Sequence, residues 1–269
     1  MIIGGKEFDT KHHTYVMGIV NTTPDSFYEG SRHTLPEETL KTVLHMQEEG
    51  ADLIDLGAES TRPGHNKISA AEEMDRLLPA LELIRNNTDI PISVDTTKAE
   101  VAREAIRLGC NLINTIQGFL DPEMAAVIAE SGLPCCLMHN RKDSNYTDFE
   151  TEFQQDMRDI LSRAEKSGIA RNRIILDPGI GFAKNYEQNL CVLKHMDEWR
   201  SPDIPWLLGT SRKSVIGKTL NLPAGECLEG TLATTVLAVM AGCSLVRVHD
   251  VKENKRCILM TEAIRFSAK

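Results

Sequence analysis

Tyr15-Val-Met-Gly-Ile-Val-Asn-Thr-Thr-Pro-Asp-Ser-Phe27 changes character halfway along. Tyr15–Val20 is almost wholly apolar, and mostly polar residues follow from Asn21. Such a run is too short for a helix and too uniformly apolar for a strand with one wet face. It reads as a parallel strand buried on both faces, with the polar residues starting where the strand stops.

The same unit recurs outward from this stretch. Leu53–Leu56, Ile90–Val94, Leu112–Ile116, Pro134–Met138, Arg173–Leu176, Pro205–Leu208 and Ser244–Val248 bring the number of runs to eight. Longer amphipathic stretches separate them and predict helices over Pro36–Glu49, Ser69–Ile84, Lys98–Leu108, Pro122–Ser131, Asp148–Gly168, Tyr186–Glu198, Glu229–Gly242 and Val251–Phe266. Thr97 and Asp121-Pro122 are start signals, and Gly50, Gly109, Gly132, Gly168 and Gly242 are stop signals. Eight strand–helix units in about 250 residues predict the α/β class and a (β/α)8 TIM barrel. Residues 1–10 read as a short β extension at its bottom, and no linker divides residues 1–269, so one domain is expected. A doubly wound sheet is the other candidate, but no GxGxxG follows the first strand.

Composition narrows the partners. Lys+Arg number 30 against 39 Asp+Glu, a net charge of −9, which argues against nucleic acid or an anionic membrane as partner. No apolar run is long enough to span a bilayer, and Met1–Thr10 lacks the basic and apolar regions of a secretory leader. The seven cysteines are odd in number and form no CxxC pair, so reduced, mostly buried thiols and a cytoplasmic location are expected. No HExxH motif or paired Cys/His spacing points to a bound transition metal.

In a barrel of this kind, chemistry sits at the C-terminal strand ends. Asp95, Asn114 and Asp177 lie deep, on the third, fourth and sixth strands, and need donors from a ligand. A heterocycle with an amino-pyrimidinone edge offers adjacent N–H groups that a carboxylate accepts in parallel. Arg62, Lys213, Arg247 and His249, with Asn21 and Thr61 nearby, form a cationic rim suited to phosphate or diphosphate. Residues 21–35 and 59–69 exceed ordinary strand–helix connections and read as lids.

These motifs resemble, in order, those of the dihydropteroate synthases. The resemblance is carried by Met17-Gly-Ile-Val-Asn-Thr-Thr-Pro-Asp-Ser-Phe27, Ile54-Asp-Leu-Gly-Ala-Glu-Ser-Thr-Arg-Pro-Gly64, Ser93-Val-Asp-Thr96, Leu137-Met-His139, Leu176-Asp-Pro-Gly-Ile-Gly-Phe182, Gly209-Thr-Ser-Arg-Lys-Ser214 and Arg247-Val-His-Asp250. It covers residues 14 to 267 and implies a Mg2+-dependent enzyme of folate biosynthesis, often a homodimer and a sulfonamide target. The implied reaction joins a pterin diphosphate to p-aminobenzoate. The resemblance implies pterin contacts at Asp95, Asn114, Met138, Asp177, Phe182 and Lys213, with Asp95, Asp177 and Lys213 closest to the chemistry. It implies diphosphate contacts at Asn21, Thr61, Arg62, Arg247 and His249, and p-aminobenzoate contacts at Phe27, Thr61, Pro63, Arg212, Lys213 and Ser214. Asn21 is the implied metal ligand, with Asp25 and Asp55 as supporters. The chain departs from the family at Thr115, where an Asp is usual, and more mildly at Asn140 and Ala183. Two other readings share the platform: a methyltetrahydrofolate methyltransferase serving a corrinoid protein, and a pterin binder without turnover.

Overall fold

A computed structural model describes residues 1–22, 35–59, 67–118 and 121–267. Eight parallel strands form the barrel: β3 (Tyr15–Asn21), β4 (Leu53–Gly57), β5 (Ile92–Asp95), β6 (Leu112–Thr115), β7 (Cys135–Met138), β8 (Ile174–Asp177), β9 (Leu207–Leu208) and β10 (Leu245–Val248). They pair in the order β8-β7-β6-β5-β4-β3-β10-β9. The ring closes between its ends through a single parallel bridge, Leu176 to Trp206, where Leu176 N donates to Pro205 O at 2.9 Å. The expected barrel is therefore present, and the doubly wound alternative is not.

Before the barrel, β1 (Ile2–Ile3) and β2 (Lys6–Glu7) form an antiparallel hairpin. It carries Ile3 and Phe8 into a buried cluster with Met17, Leu53, Leu112, Cys136, Ile175, Leu207 and Leu245. The cluster takes a residue from seven of the eight barrel strands, so it is an interior layer plugged from below by the extension. Strand side chains alternate between faces, so residues two further along point inward again, one layer higher. Those are Ile19, Asp55, Asn114, Met138, Asp177, Gly209 and Arg247, and Asn21 stands two beyond Ile19 at the end of β3. The apolar layer at the bottom thus fixes which residues line the mouth.

The outward strand faces pack against helices: α1 (Leu35–Glu48), α2 (Ala70–Arg85), α3 (Ala99–Arg107), α4 (Pro122–Ser131), α5 (Phe149–Lys166), α6 (Tyr186–Lys194), α7 (Met196–Trp199), α8 (Ser214–Leu220), α9 (Leu228–Ala241) and α10 (Val251–Arg265). Asp121 caps α4 through its carboxylate, with Pro122 in the first turn, and all five glycine stops adopt positive φ. Two local expectations need correction. Lys98, not Thr97, precedes α3, and it makes no side-chain cap. The predicted helix 186–198 breaks at His195 into α6 and α7. The short α8 was not expected. No helix among the described residues is long and apolar enough to cross a membrane.

Candidate active site

Asp55 is the hub of the mouth. It is fully buried on β4 and accepts from Ser93 Oγ at 2.5 Å, Asn114 Nδ2 at 3.0 Å and Arg247 Nε at 2.5 Å. Arg247 also donates from Nη2 to Asp95 Oδ2 at 3.0 Å. Strand register places Asp95 beside Asn114 and between β4 and β6. Asp95 Oδ1 is buried and has no hydrogen-bond partner among the described residues. Burial, then the nearby Asp55 charge, pushes the Asp95 pKa up to about 7 against the pull of Arg247. The two carboxylates raise the Arg247 pKa although its burial opposes this.

Asp177 and Lys213 form the opposite wall. Asp177 Oδ1 accepts from Gly179 N at 2.7 Å. Burial raises its pKa, opposed chiefly by Lys213. Burial lowers the Lys213 pKa to about 8. Lys213 Nζ donates to Ile180 O and lies 4.8 Å from the centre of the Phe182 ring. A Cβ on Gly209 would stand 3.7 Å from Asp177 Oδ2 and 3.9 Å from both Lys213 Nζ and Arg247 Cβ. The bare backbone there keeps a slot between the charged groups. Met138 is buried next to Asp177 in the β7–β8 register. A cleft of about 820 Å³ opens from Asp95 past Thr96, Gln117, Asn140 and Arg141.

The rim is assembled in part. Asn21 is exposed at the end of β3, and its Oδ1 lies 3.6 Å from where a Cβ on Gly57 would sit. His249 directly follows β10 and pairs through Nδ1 with Ser211 Oγ at 3.0 Å. Arg212 holds a left-handed φ of 57° and donates from Nη2 to Asp250 Oδ1 at 2.6 Å. Ser214 is exposed in the first turn of α8. Asp25, Phe27, Thr61, Arg62 and Pro63, and most of both expected lids, lie outside the described residues. Thr115 is fully buried, and its Oγ1 accepts from Gln117 N at 3.4 Å, so the hydroxyl contacts the turn after β6.

A buried polar chain behind Asp177 escaped the sequence reading. Lys184 Nζ donates to Gly179 O and Phe182 O, both at 3.1 Å, and to His139 Nδ1 at 2.8 Å. Burial pushes the His139 pKa down to about 4, so the ring is neutral and its Nε2–H donates to Asp156 at 2.9 Å. Arg141 completes the chain with two hydrogen bonds to Asp156. Burial also lowers the Lys184 pKa to about 7. Together these groups brace the loop between β8 and α6. Lys98, paired with Glu59 and Glu73, similarly braces the β4 and β5 ends.

Residues 17–249 match the pterin binding enzyme family. The chain is 48% identical to a dihydropteroate synthase of Clostridium beijerinckii, across 98% of this chain and 99% of that one. It is 46% identical to a dihydropteroate synthase of Bacillus subtilis, across 94% and 90%. Among solved structures, a dihydropteroate synthase from Clostridium difficile, crystallised in the presence of pteroic acid, superposes with a TM-score of 0.93 at 43% identity, covering 97% of this chain and 100% of that one. A Xanthomonas albilineans dihydropteroate synthase with 4-aminobenzoic acid superposes at 0.90 and 36% identity, covering 95% and 94%.

Proposed function

Because the chain belongs to the pterin-binding enzymes, among the dihydropteroate synthases, we propose that the slot beneath Gly209 takes the pterin and the rim takes its diphosphate. The reaction is that of folate biosynthesis: 6-hydroxymethyl-7,8-dihydropterin diphosphate and p-aminobenzoate give 7,8-dihydropteroate and pyrophosphate. The carrying observation is Asp95 Oδ1, a buried acceptor with no donor among the described residues. Leaving it so costs free energy that a ligand N–H recovers. Asp177 and Asn114 extend the same polar edge, Lys213 faces Asp177, and Met138 and Phe182 line the slot.

Asn21, Arg247 and His249, with Thr61 and Arg62, receive the diphosphate. Asn21 offers one hard amide oxygen, which fits Mg2+, an ion commonly held by few protein ligands together with phosphate oxygens. Bound there, Mg2+ would offset charge on the leaving diphosphate. The bond from the pterin CH2 carbon to the diphosphate oxygen breaks, with its electron pair leaving on pyrophosphate. The aniline nitrogen then bonds to that carbon and loses a proton. That nitrogen is neutral at physiological pH, so no strong base is needed. Asp95 and Asp177 stabilise the positive charge that develops on the ring. This supports a dissociative substitution, with water kept out by the two lids. Phe27, Thr61, Pro63, Arg212, Lys213 and Ser214 line the p-aminobenzoate side. A cytoplasmic homodimer completes the reading.

The test is pyrophosphate release from the purified protein given the pterin diphosphate, Mg2+ and p-aminobenzoate. Release that requires the amine is the expected result. Pterin binding without release would instead favour the binder and direct attention to Thr115.

A further inference from the structure

The sequence spacing points to no transition-metal site, yet folding gathers three metal-ligating residues at the outer helices α5 and α6. Cys191 and His195 are four residues apart at the end of α6 and so share a helix face. Glu150 comes from the first turn of α5. One ligand atom from each, a thiol sulfur, an imidazole nitrogen and a carboxylate oxygen, lies within 4.8 Å of the other two. Cys191 Sγ is 3.7 Å from Glu150 Oε1.

Neighbouring groups hold the imidazole in place. His195 sits at the break between α6 and α7. Its ring stacks on Trp199, with centroids 5.3 Å apart and planes 14° apart. Its Nδ1 lies 3.1 Å from Glu198 Oε2. A carboxylate that fixes the orientation of a ligating histidine is a recurrent accompaniment of zinc sites.

We propose that Glu150, Cys191 and His195 form a binding site for a zinc-class divalent cation, supported by Glu198. Thiolate, imidazole and carboxylate are the donors such an ion takes, and three protein ligands leave one position for water. On binding, the Cys191 S–H bond breaks, the proton goes to solvent and the sulfur electron pair goes to the metal. Without metal, partial burial and the Glu150 charge both raise the Cys191 pKa. A cation between the two groups reverses that repulsion. The ion would tie the start of α5 to the end of α6, the helices that follow the β7 and β8 loops.

The experiment titrates the reduced full-length protein with Co2+, whose thiolate charge-transfer absorption reports a sulfur ligand directly. We expect a near-ultraviolet band saturating at about one equivalent, absent from Cys191→Ser and retained in Cys257→Ser. Glu198→Gln should weaken binding about tenfold or more. Zn2+ should raise the melting temperature of the wild type and not of Cys191→Ser. No band, or a band that persists in Cys191→Ser, overturns the proposal. If Cys191→Ser fails to fold, the exposed Glu150→Gln decides, and unchanged Co2+ affinity in that variant overturns the site.

Discussion

Asp95 combines burial, a neighbouring carboxylate and one arginine in a single side chain. Its pKa near 7 has two consequences of opposite sign. In the free protein the proton is held more tightly than in the unfolded chain. The resulting stabilisation is complete below the ordinary carboxylate range and is lost as pH rises through about 7. Ligand binding runs the other way, because an ionised carboxylate accepts two N–H groups where a protonated one must spend an oxygen on its own O–H. Affinity for a pterin should therefore rise with pH through about 7, followed by calorimetry. The Asp95→Asn variant should bind weakly and show a flat profile, and a flat wild-type profile would remove Asp95 from the contact. Asp95 and Asp177 are legible in the sequence because each ends an apolar run, and Asn114 because it interrupts one. Asp55 is less so, since its part as hub depends on Ser93, Asn114 and Arg247 arriving from three other strands. Lys184 and His139, 45 residues apart, carry no local signal of their hydrogen bond.

Among the elements, the loop between β8 and α6 is held at several points. Gly179 has φ of 67°, and a Cβ there would fall 2.0 Å from His139 O. Gly179 N also holds Asp177 Oδ1, and Gly179 O receives Lys184. Gly179→Ala must both strain the backbone, at about 1–3 kcal/mol, and push β7 away from the loop. The expected result is a lower melting temperature, with pterin affinity reduced further than in a surface Gly225→Ala control, whose Cβ would meet nothing. An alanine variant with wild-type affinity would show that the loop does not set the position of Asp177. The eight strands are readable because each is buried on both faces and bounded by polar residues. The seven residues of α8 are too few to show a periodic face. The break at His195 has no glycine or proline to announce it.

Across the whole molecule, one face departs from the usual polar surface. Val236, Leu237 and Met240 on α9 and Leu259, Met260 and Ile264 on α10 are exposed, Met260 by 63%. These two helices pack side by side, so the residues form a candidate self-association surface. Met260→Glu should shift the protein toward monomer in light scattering without lowering its melting temperature at high dilution. A wild type that is already monomeric would remove this face from consideration. The barrel itself is not equally strong all round. β9 has two residues and meets β8 through one bridge. Asp177 ends β8, while Lys213 follows β9. A ligand gripped by both side chains would lace the barrel across its weakest stave. Occupancy of the slot would then slow amide hydrogen exchange in Leu176, Leu207 and Leu208, so the hoop would be tightest while the enzyme is at work.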